Sequence, residues 1–444
     1  MNALKTIKCR VVTTVIPALF ILLCPGVLKA ADIPSVRDVI KGKAPVPTIE
    51  ELSGGKVKIG DLIDRNNVDL VKAYLDPGTY EMVKRGLVLR MSAMNRPPER
   101  LVSRYFREAT ERNRGKAVMD ENGTVYYEKI GTPWPGGLPY SEPKTGMEVM
   151  ANIKYGRVWD EWRTDPNEIL FVNSAGKPYK KYMFKQDYIK CTTRTKVPPL
   201  GAIKGCENIM WKRVSVITYP LVVKGLGQYT VRYYDDAKNY DTGFAYLPNL
   251  KKTMRVSATT WQDNIAGSDL TYGDGFGLQE PYSYWKFRLL GIKYMLAPWE
   301  PDLSFDFIDA RGRISKNITY DVGRKFVRAG WAILPFHIVE AIPTIRHIYG
   351  KKVFYCQAWP YWPTYVPVAL ADMYDRQMKL WKSWVPIRGR EVRSKGETLF
   401  GTGIGLVYDF QADHMSQFWL RMLVNQMGYK PGDITLRKLV QTGR

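Results

Sequence analysis

Residues 211–234 read WKRVSVITYPLVVKGLGQYTVRYY and contain two strand signals. Apolar and polar residues alternate at Val214-Ser215-Val216, and again at Val231-Arg232-Tyr233. A period of two is typical of a strand that buries one face and exposes the other. Two such runs in close succession predict neighbouring strands of an antiparallel sheet.

Similar runs recur along the chain and are separated by turn residues such as those at 173–176 and 374–377. The predicted strands are 169–172, 211–219, 229–234, 253–258, 314–320, 352–359, 370–374 and 379–385. Helical spacing is found before this region at 99–112 and 147–152, and after it at Met415, Phe418, Trp419, Met422 and Leu423. Many short strands with regular turns predict one large antiparallel sheet.

This order of elements predicts an α+β fold, in which a large curved antiparallel sheet forms an open half-barrel with helices against one face. Residues 31–155 are expected to form a helical N-terminal region packed on the sheet. Residues 156–444 are expected to form the half-barrel with its C-terminal helices. Two smaller domains that divide near Gly156 fit the same order.

Residues 1–30 have the pattern of a secretory signal peptide. Lys5, Lys8 and Arg10 precede an apolar run at 11–23, and Ala30 supplies a small residue at the expected cleavage point. The chain is also strongly basic, with 66 Lys and Arg against 43 Asp and Glu. Because export separates the protein from nucleic acid, an anionic membrane face or an anionic amphiphile is the better match for this charge.

Three cysteines remain after the predicted cleavage, and two of them flank a loop that contains Pro and Gly. Disulfides persist in oxidising compartments, so we predict that Cys191 pairs with Cys206 across this loop. Cys356 lies in an apolar run and is expected to be a buried thiol.

The sequence offers little for catalysis, metal binding or cofactor binding. The three histidines, His337, His347 and His414, have no metal-binding spacing and are expected to be structural. Asp263 and Asp274 delimit a Gly-rich stretch that also contains Asp269, but the spacing matches no calcium loop. A surface loop is the expected structure there, and we predict a non-enzymatic protein without a cofactor.

Aromatic residues crowd the second half of the chain. They fill the core of a large sheet in one interpretation, and in the other some of them line a cavity for an apolar ligand. We expect core positions for most individual residues and a cavity for the set as a whole. The ligand-binding candidates are Phe276, Trp285, Trp331, Phe336, Trp359 and Trp381.

Several segments, in their order along the chain, resemble a known family. They include 60–68, 137–148, 245–255, 267–271, 338–343 and 351–355, with the turn at 374–376. The chain resembles the periplasmic family of unknown function labelled outer membrane lipoprotein-sorting protein, which is similar in fold to the lipoprotein carriers LolA and LolB. The resemblance implies a half-barrel with helices that cover an apolar cavity, and no catalytic residues. It further implies a periplasmic location, with a transporter of the resistance–nodulation–division type and an outer-membrane protein as partners.

Three functions follow as hypotheses. The first is a periplasmic carrier or chaperone that binds a lipid-like or other apolar molecule and makes peripheral contact with a membrane. The second is an adaptor of an envelope transport complex without cargo of its own, which a filled sheet interior would favour. The third is a secreted hydrolase that uses His414 or the carboxylates at 263–274.

Overall fold

The computed structural model describes residues 33–94, 100, 102–257, 260–275, 277–299, 305–361, 368–394 and 397–444. The predicted signal peptide and the ligand-binding candidate Phe276 lie outside the described residues. The α-helices are α1 (Val36–Ile40), α2 (Ile49–Leu52), α3 (Pro77–Lys84), α4 (Arg104–Arg112), α5 (Gly146–Tyr155) and α6 (Leu436–Gly443). None of these helices has the length and hydrophobicity that a membrane-spanning helix requires.

The strands make up most of the regular structure in the described residues. The first ten are β1 (Leu62–Ile63), β2 (Leu89–Met91), β3 (Ala117–Met119), β4 (Val125–Tyr127), β5 (Glu161–Val172), β6 (Pro178–Lys190), β7 (Ile209–Tyr219), β8 (Gly227–Tyr233), β9 (Thr242–Leu247) and β10 (Lys252–Val256). The others are β11 (Trp285–Pro298), β12 (Tyr320–Asp321), β13 (Phe326–Val327), β14 (Gly330–Pro343), β15 (Lys351–Gln357), β16 (Leu370–Tyr374), β17 (Leu380–Ser394), β18 (Glu397–Asp409) and β19 (His414–Val424).

One sheet of 15 strands dominates the fold. Its strands follow the order β1-β2-β14-β15-β16-β17-β18-β19-β5-β6-β7-β8-β9-β10, and β11 pairs with β14. Every pair is antiparallel except β2 with β14. Within the described chain β10 pairs only with β9 and β11 only with β14, so the sheet stays open. The predicted α+β fold with a large open antiparallel sheet is confirmed.

The alternation that predicted β7 and β8 reflects the burial of one face against the C-terminal helix. Val214 pairs directly with Tyr229, and both side chains are buried with Leu439 of α6. The hydroxyl of Thr435 accepts a hydrogen bond from the amide of Lys438 and so caps the start of α6. A short helix is thereby fixed against a sheet face that would otherwise be exposed and apolar.

Short helices cover both faces of the sheet. Gly78 of α3 lies against Asp372 and Ser383, whereas Gly277, beside Ile153 of α5, lines a cavity with Ala371. Neighbouring residues in a strand point to opposite faces. Because Ala371 and Asp372 are neighbours in β16, α3 and α5 lie on opposite sides of it.

Two predicted elements differ from the structure. The segment from Met415 to Leu423 was expected to be helical but is the central strand β19, between β18 and β5. Met415, Phe418, Trp419 and Met422 are all buried there. A strand that is buried on both faces is apolar on both sides, so its spacing imitates a helix. Of the strand predicted at 314–320, only Tyr320 is in a strand.

Candidate functional site

A strap, which we define as residues 260–275, crosses one face of the sheet. It consists of short 3-10 turns without a long helix or strand. Leu270 is buried, and Ile265 and Ala266 pack beside it. The sheet residues beneath the strap are apolar and come from β5, β17, β18 and β19: Ile169, Phe171, Trp384, Val407 and Phe418. The strap therefore keeps an apolar patch of the sheet out of water.

Asp269 joins the strap to β17 and β19 through polar contacts. Its carboxylate accepts hydrogen bonds from the Ser416 hydroxyl and from Nδ1 of His414, each at 2.6 Å. Its backbone carbonyl accepts a hydrogen bond of 2.7 Å from the Lys382 ammonium. With Nδ1 as the donor, Nε2 of His414 accepts from the Tyr179 hydroxyl at 2.7 Å.

Asp274 makes a second polar attachment and is buried. Its Oδ2 accepts from the Tyr349 hydroxyl at 2.8 Å and from the Thr271 hydroxyl at 2.7 Å. The Lys352 ammonium lies 2.7 Å from Oδ1. Burial is the largest single influence and would raise the pKa of Asp274, but Lys352, Lys382 and the Thr271 hydroxyl together outweigh it and the pKa is lowered. The strap is thus anchored by a buried ion pair.

Glu280 forms a third attachment just beyond the strap. Its carboxylate accepts from the indole nitrogen of Trp285 at 2.8 Å and from Nε2 of His347 at 3.1 Å. The backbone amide of Tyr349 donates to Nδ1 of His347, so Nε2 carries the proton that Glu280 accepts. This attachment joins the end of the strap to β11 and to the loop before β15.

The prediction of a surface loop at 263–274 is wrong for two of its three carboxylates. Asp269 and Asp274 face the sheet, and only Asp263 is exposed. His347 is also buried, at 3% exposure. Within the described residues no group of three or more His, Cys, Asp and Glu side chains is arranged to hold a metal ion.

His414, Asp269 and Tyr179 form a hydrogen-bonded chain that the hydrolase hypothesis could use. The pKa of Tyr179 is raised, first by burial and then by the charge of Asp269. Its phenol therefore keeps its proton at neutral pH and donates a hydrogen bond to Nε2 of His414. Asp269 also accepts from Ser416 and Lys382, so this chain belongs to the contacts that hold the strap on the sheet. The arrangement suits a polar attachment of the strap better than a catalytic relay.

A small cavity lies between the end of the strap and the sheet. Its volume of about 10 Å³ holds about one water molecule. It is lined by Asp274, Gly277, Lys352, Phe354, Ala371, Met373 and Trp384. The indole nitrogen of Trp384 has no hydrogen-bond partner among the described residues. Pockets for organic ligands begin at about 300 Å³, so the strap in this position excludes an acyl chain from the space.

The five ligand-binding candidates that the structure describes lie in different places. Trp285 and Trp381 contact the same loop, at His347 and Tyr349 respectively, and Trp359 is half-buried. Trp331 and Phe336 are almost completely buried in β14. Their odd and even positions in that strand place them on opposite faces of the sheet. A ligand-binding role for any of the six residues stays a prediction.

Cationic side chains gather beside the other end of the strap. The guanidinium of Arg232 lies 4.6 Å from the ring of Trp261 and 2.6 Å from the carboxylate of Asp241. Burial lowers the pKa of Arg157 and of Arg213, which lie near Arg232. Arg232 also lies 3.5 Å from the carboxylate of Asp236, so its charge is neutralised within the protein.

Sequence reasoning missed the residues that hold the strap, among them Lys352, Lys382 and Ser416. No local pattern identifies them, because their partners are far away in the sequence. Asp269, for example, is 147 residues from Ser416.

The predicted disulfide is not formed in the structure, where Cys191 and Cys206 are free thiols. The two groups lie close enough for Cys206 to raise the pKa of Cys191, after burial as the main cause.

Comparisons with known proteins identify the family. No curated protein matches the chain. A domain from Vibrio parahaemolyticus named for outer membrane lipoprotein sorting is 14% identical, with a TM-score of 0.43 over 66% of this chain and 98% of that one. A DUF1329 protein from Desulfovibrio piger is 13% identical, with a TM-score of 0.43 over 66% and 97%. A LolA superfamily protein from Nitrosomonas europaea is 10% identical, with a TM-score of 0.36 over 67% and 100%. The model of a family described as protein of unknown function (DUF1329) matches residues 62–433, so the chain belongs to that family.

Proposed function

We propose that this protein is a periplasmic carrier for a lipid-like or other apolar molecule, and that the cargo binds where the strap now lies. The observation that supports this proposal is the way in which the strap covers the sheet. Polar attachments at Asp269 and Asp274 hold it over an apolar patch. The family resemblance suggests the periplasm as the compartment, and a transporter of the resistance–nodulation–division type and an outer-membrane protein as partners.

Displacement of the strap by an apolar cargo is physically reasonable. The polar groups of Asp269, His414 and Ser416 can exchange their hydrogen bonds for bonds to water at a modest net free energy, about 1 kcal/mol for each bond. The apolar patch cannot make that exchange. Fully burying one large apolar side chain contributes about 1.5–3 kcal/mol, so an acyl chain that replaces the strap recovers what the patch would lose.

Lipid extraction tests this function directly. The purified protein is extracted with organic solvent and analysed by mass spectrometry, and a fluorescent fatty acid is titrated into protein freed of lipid. We expect a co-purifying amphiphile and saturable probe binding. Absence of both in a folded protein contradicts the proposal.

A strap variant sharpens the test. Asp269→Ala removes the contacts to His414 and Ser416, so the strap competes less well with cargo and the probe should bind at least threefold more tightly. Asp263→Ala is the matched control, because Asp263 lies exposed in the same strap. Equal affinity in the two variants contradicts a displaceable strap.

The small cavity favours the adaptor without cargo as a second candidate. Its volume of about 10 Å³ leaves no space for an organic ligand while the strap is in place. If the sheet never opens, its covered faces serve only as a scaffold for protein contacts. A folded protein that neither co-purifies with an amphiphile nor binds the probe, even as Asp269→Ala, supports the adaptor.

A further inference from the structure

Two loops form a projection at one end of the sheet, beside the edge strand β10. The first, residues 219–226, contains the connection from β7 to β8, and the second, residues 247–252, contains the connection from β9 to β10 together with the strand residues at its two ends. The loops touch, because a Cβ atom placed on Gly225 would lie 3.3 Å from Cβ of Pro248. We call these two segments the paired loops.

The tips of the paired loops are apolar and exposed. Leu221 is 78% exposed, Val222 is 79% exposed and Leu250 is 62% exposed. Leu221 and Val222 have the largest exposed fractions of the large apolar side chains in the described part of the chain. Exposure of such apolar side chains to water is unfavourable, and their burial against a partner is favourable.

Positive charge surrounds the apolar tips. Lys224, Lys251 and Lys252 are exposed in the paired loops, and Arg255 is exposed in β10. The segments 217–227 and 247–256 contain no Asp or Glu.

We propose that the paired loops dock the protein on an anionic phospholipid bilayer. Leu221, Val222 and Leu250 enter the interfacial region, while the neighbouring lysines contact lipid phosphates. Apolar residues flanked by Lys and Arg suit an anionic bilayer, because apolar burial and charge attraction both contribute to the free energy of binding. The inference does not depend on cargo, since an adaptor without a ligand would dock in the same way.

Vesicle sedimentation tests the docking. The purified full chain is mixed with vesicles of phosphatidylcholine alone or of phosphatidylcholine with phosphatidylglycerol, at low and at high salt. We expect binding to the anionic vesicles at least tenfold stronger than to the neutral ones, and weaker at high salt because the surface charges are screened. Equal binding to both vesicles, or none to either, overturns the proposal.

Variants locate the contact. The double substitution Leu221→Asp with Val222→Asp should weaken binding to anionic vesicles at least tenfold, and Lys251→Glu with Lys252→Glu should abolish the preference for them. Leu200→Asp and Lys204→Glu are matched controls. Both residues are exposed, and they lie in the connection from β6 to β7 at the opposite end of the sheet. Thermal melting checks that each variant is folded, and an equal loss in the controls contradicts docking through the paired loops.

Discussion

The carboxyl groups of Asp76 and Asp372 lie together in the core, on the face of the sheet opposite the strap. Asp76 caps α3 by accepting from the amide of Thr79 at 2.7 Å. Asp372 accepts from the Ser383 hydroxyl at 2.9 Å and from the amide of Gly78 at 3.2 Å. Burial raises the pKa of both groups, and the charge of Asp76 raises that of Asp372 further. The pair therefore holds a proton to a higher pH than an ordinary Asp carboxyl group does.

This pair should make stability depend on pH. Because the pKa of Asp372 is raised in the folded state, the pair contributes its full stabilisation below the ordinary pKa of 3.8. This contribution to the free energy of unfolding is lost as the pH rises through the raised pKa. Asp372→Asn removes this titration while its amide oxygen still accepts from Gly78. Between pH 4 and pH 8 we expect the free energy of unfolding of the variant to increase by about 1 kcal/mol or more relative to that of the wild type.

Urea unfolding at a series of pH values measures this gain. The control is Glu50→Gln, since Glu50 is exposed. A stability difference between Asp372→Asn and the wild type that does not change with pH would contradict a shared proton.

At Gly78 the backbone of α3 lies in close contact with the sheet. A Cβ atom there would lie 2.2 Å from Oδ1 of Asp372 and 2.2 Å from Oγ of Ser383. Although Ala is the better helix former, we expect Gly78→Ala to lower the free energy of unfolding by about 2 kcal/mol through overpacking. Gly432→Ala is the control, because nothing lies within 4 Å of its Cβ position. Thermal melting compares the two, and equal stability contradicts the close approach.

Elements with local signals are those that the sequence predicted well. Thr145 and Glu148 form a capping box that starts α5 within one residue of the predicted helix. The strand predicted at 370–374 coincides with β16. β19 was missed because its apolar residues are set by β5 and β18 on either side of it, and those strands are not local to it in the sequence.

The loop between β6 and β7 carries the two cysteines of the predicted disulfide, which are free thiols in the structure. Burial first, and then the neighbouring Cys206, raise the pKa of Cys191 to about 12, so its thiol is unreactive until the loop opens. For protein isolated from an oxidising compartment we expect an intact mass that is two hydrogens lower than that of the reduced form. A disulfide that closes a loop of this length would stabilise the folded protein by about 3 kcal/mol.

Comparison of redox states tests this link. Cys206→Ser should lower stability under oxidising conditions and leave it unchanged under reducing conditions. Cys356 serves as the internal reference, because it is buried in β15 and should be alkylated after unfolding in either state. Alkylation of Cys191 in unfolded, unreduced protein would contradict the disulfide.

At the scale of the whole molecule, the sheet joins distant parts of the chain. β2 lies before Gly156 and pairs with β14, and β5 pairs with β19 near the C-terminus. A strand cannot leave such a sheet without exposing the backbone groups of its neighbours. We therefore expect the described chain to unfold as one cooperative unit.

Differential scanning calorimetry measures this cooperativity. The expected outcome is one transition whose calorimetric and van't Hoff enthalpies agree. Limited proteolysis near Gly156 should release no stable fragment. Two separate transitions would instead support the alternative of two smaller domains.

The sequence by itself determined the strand alternation of β7 and β8, the cap of α5 and the family resemblance that the match over 62–433 confirms. These features depend on neighbours a few residues apart, or on the order of segments along the chain. Only the tertiary structure decided that Asp269 and His414 meet across 145 residues, and that a strap covers the apolar patch. Contacts at such separations depend on the register of strands between them, and no local pattern in the sequence specifies that register.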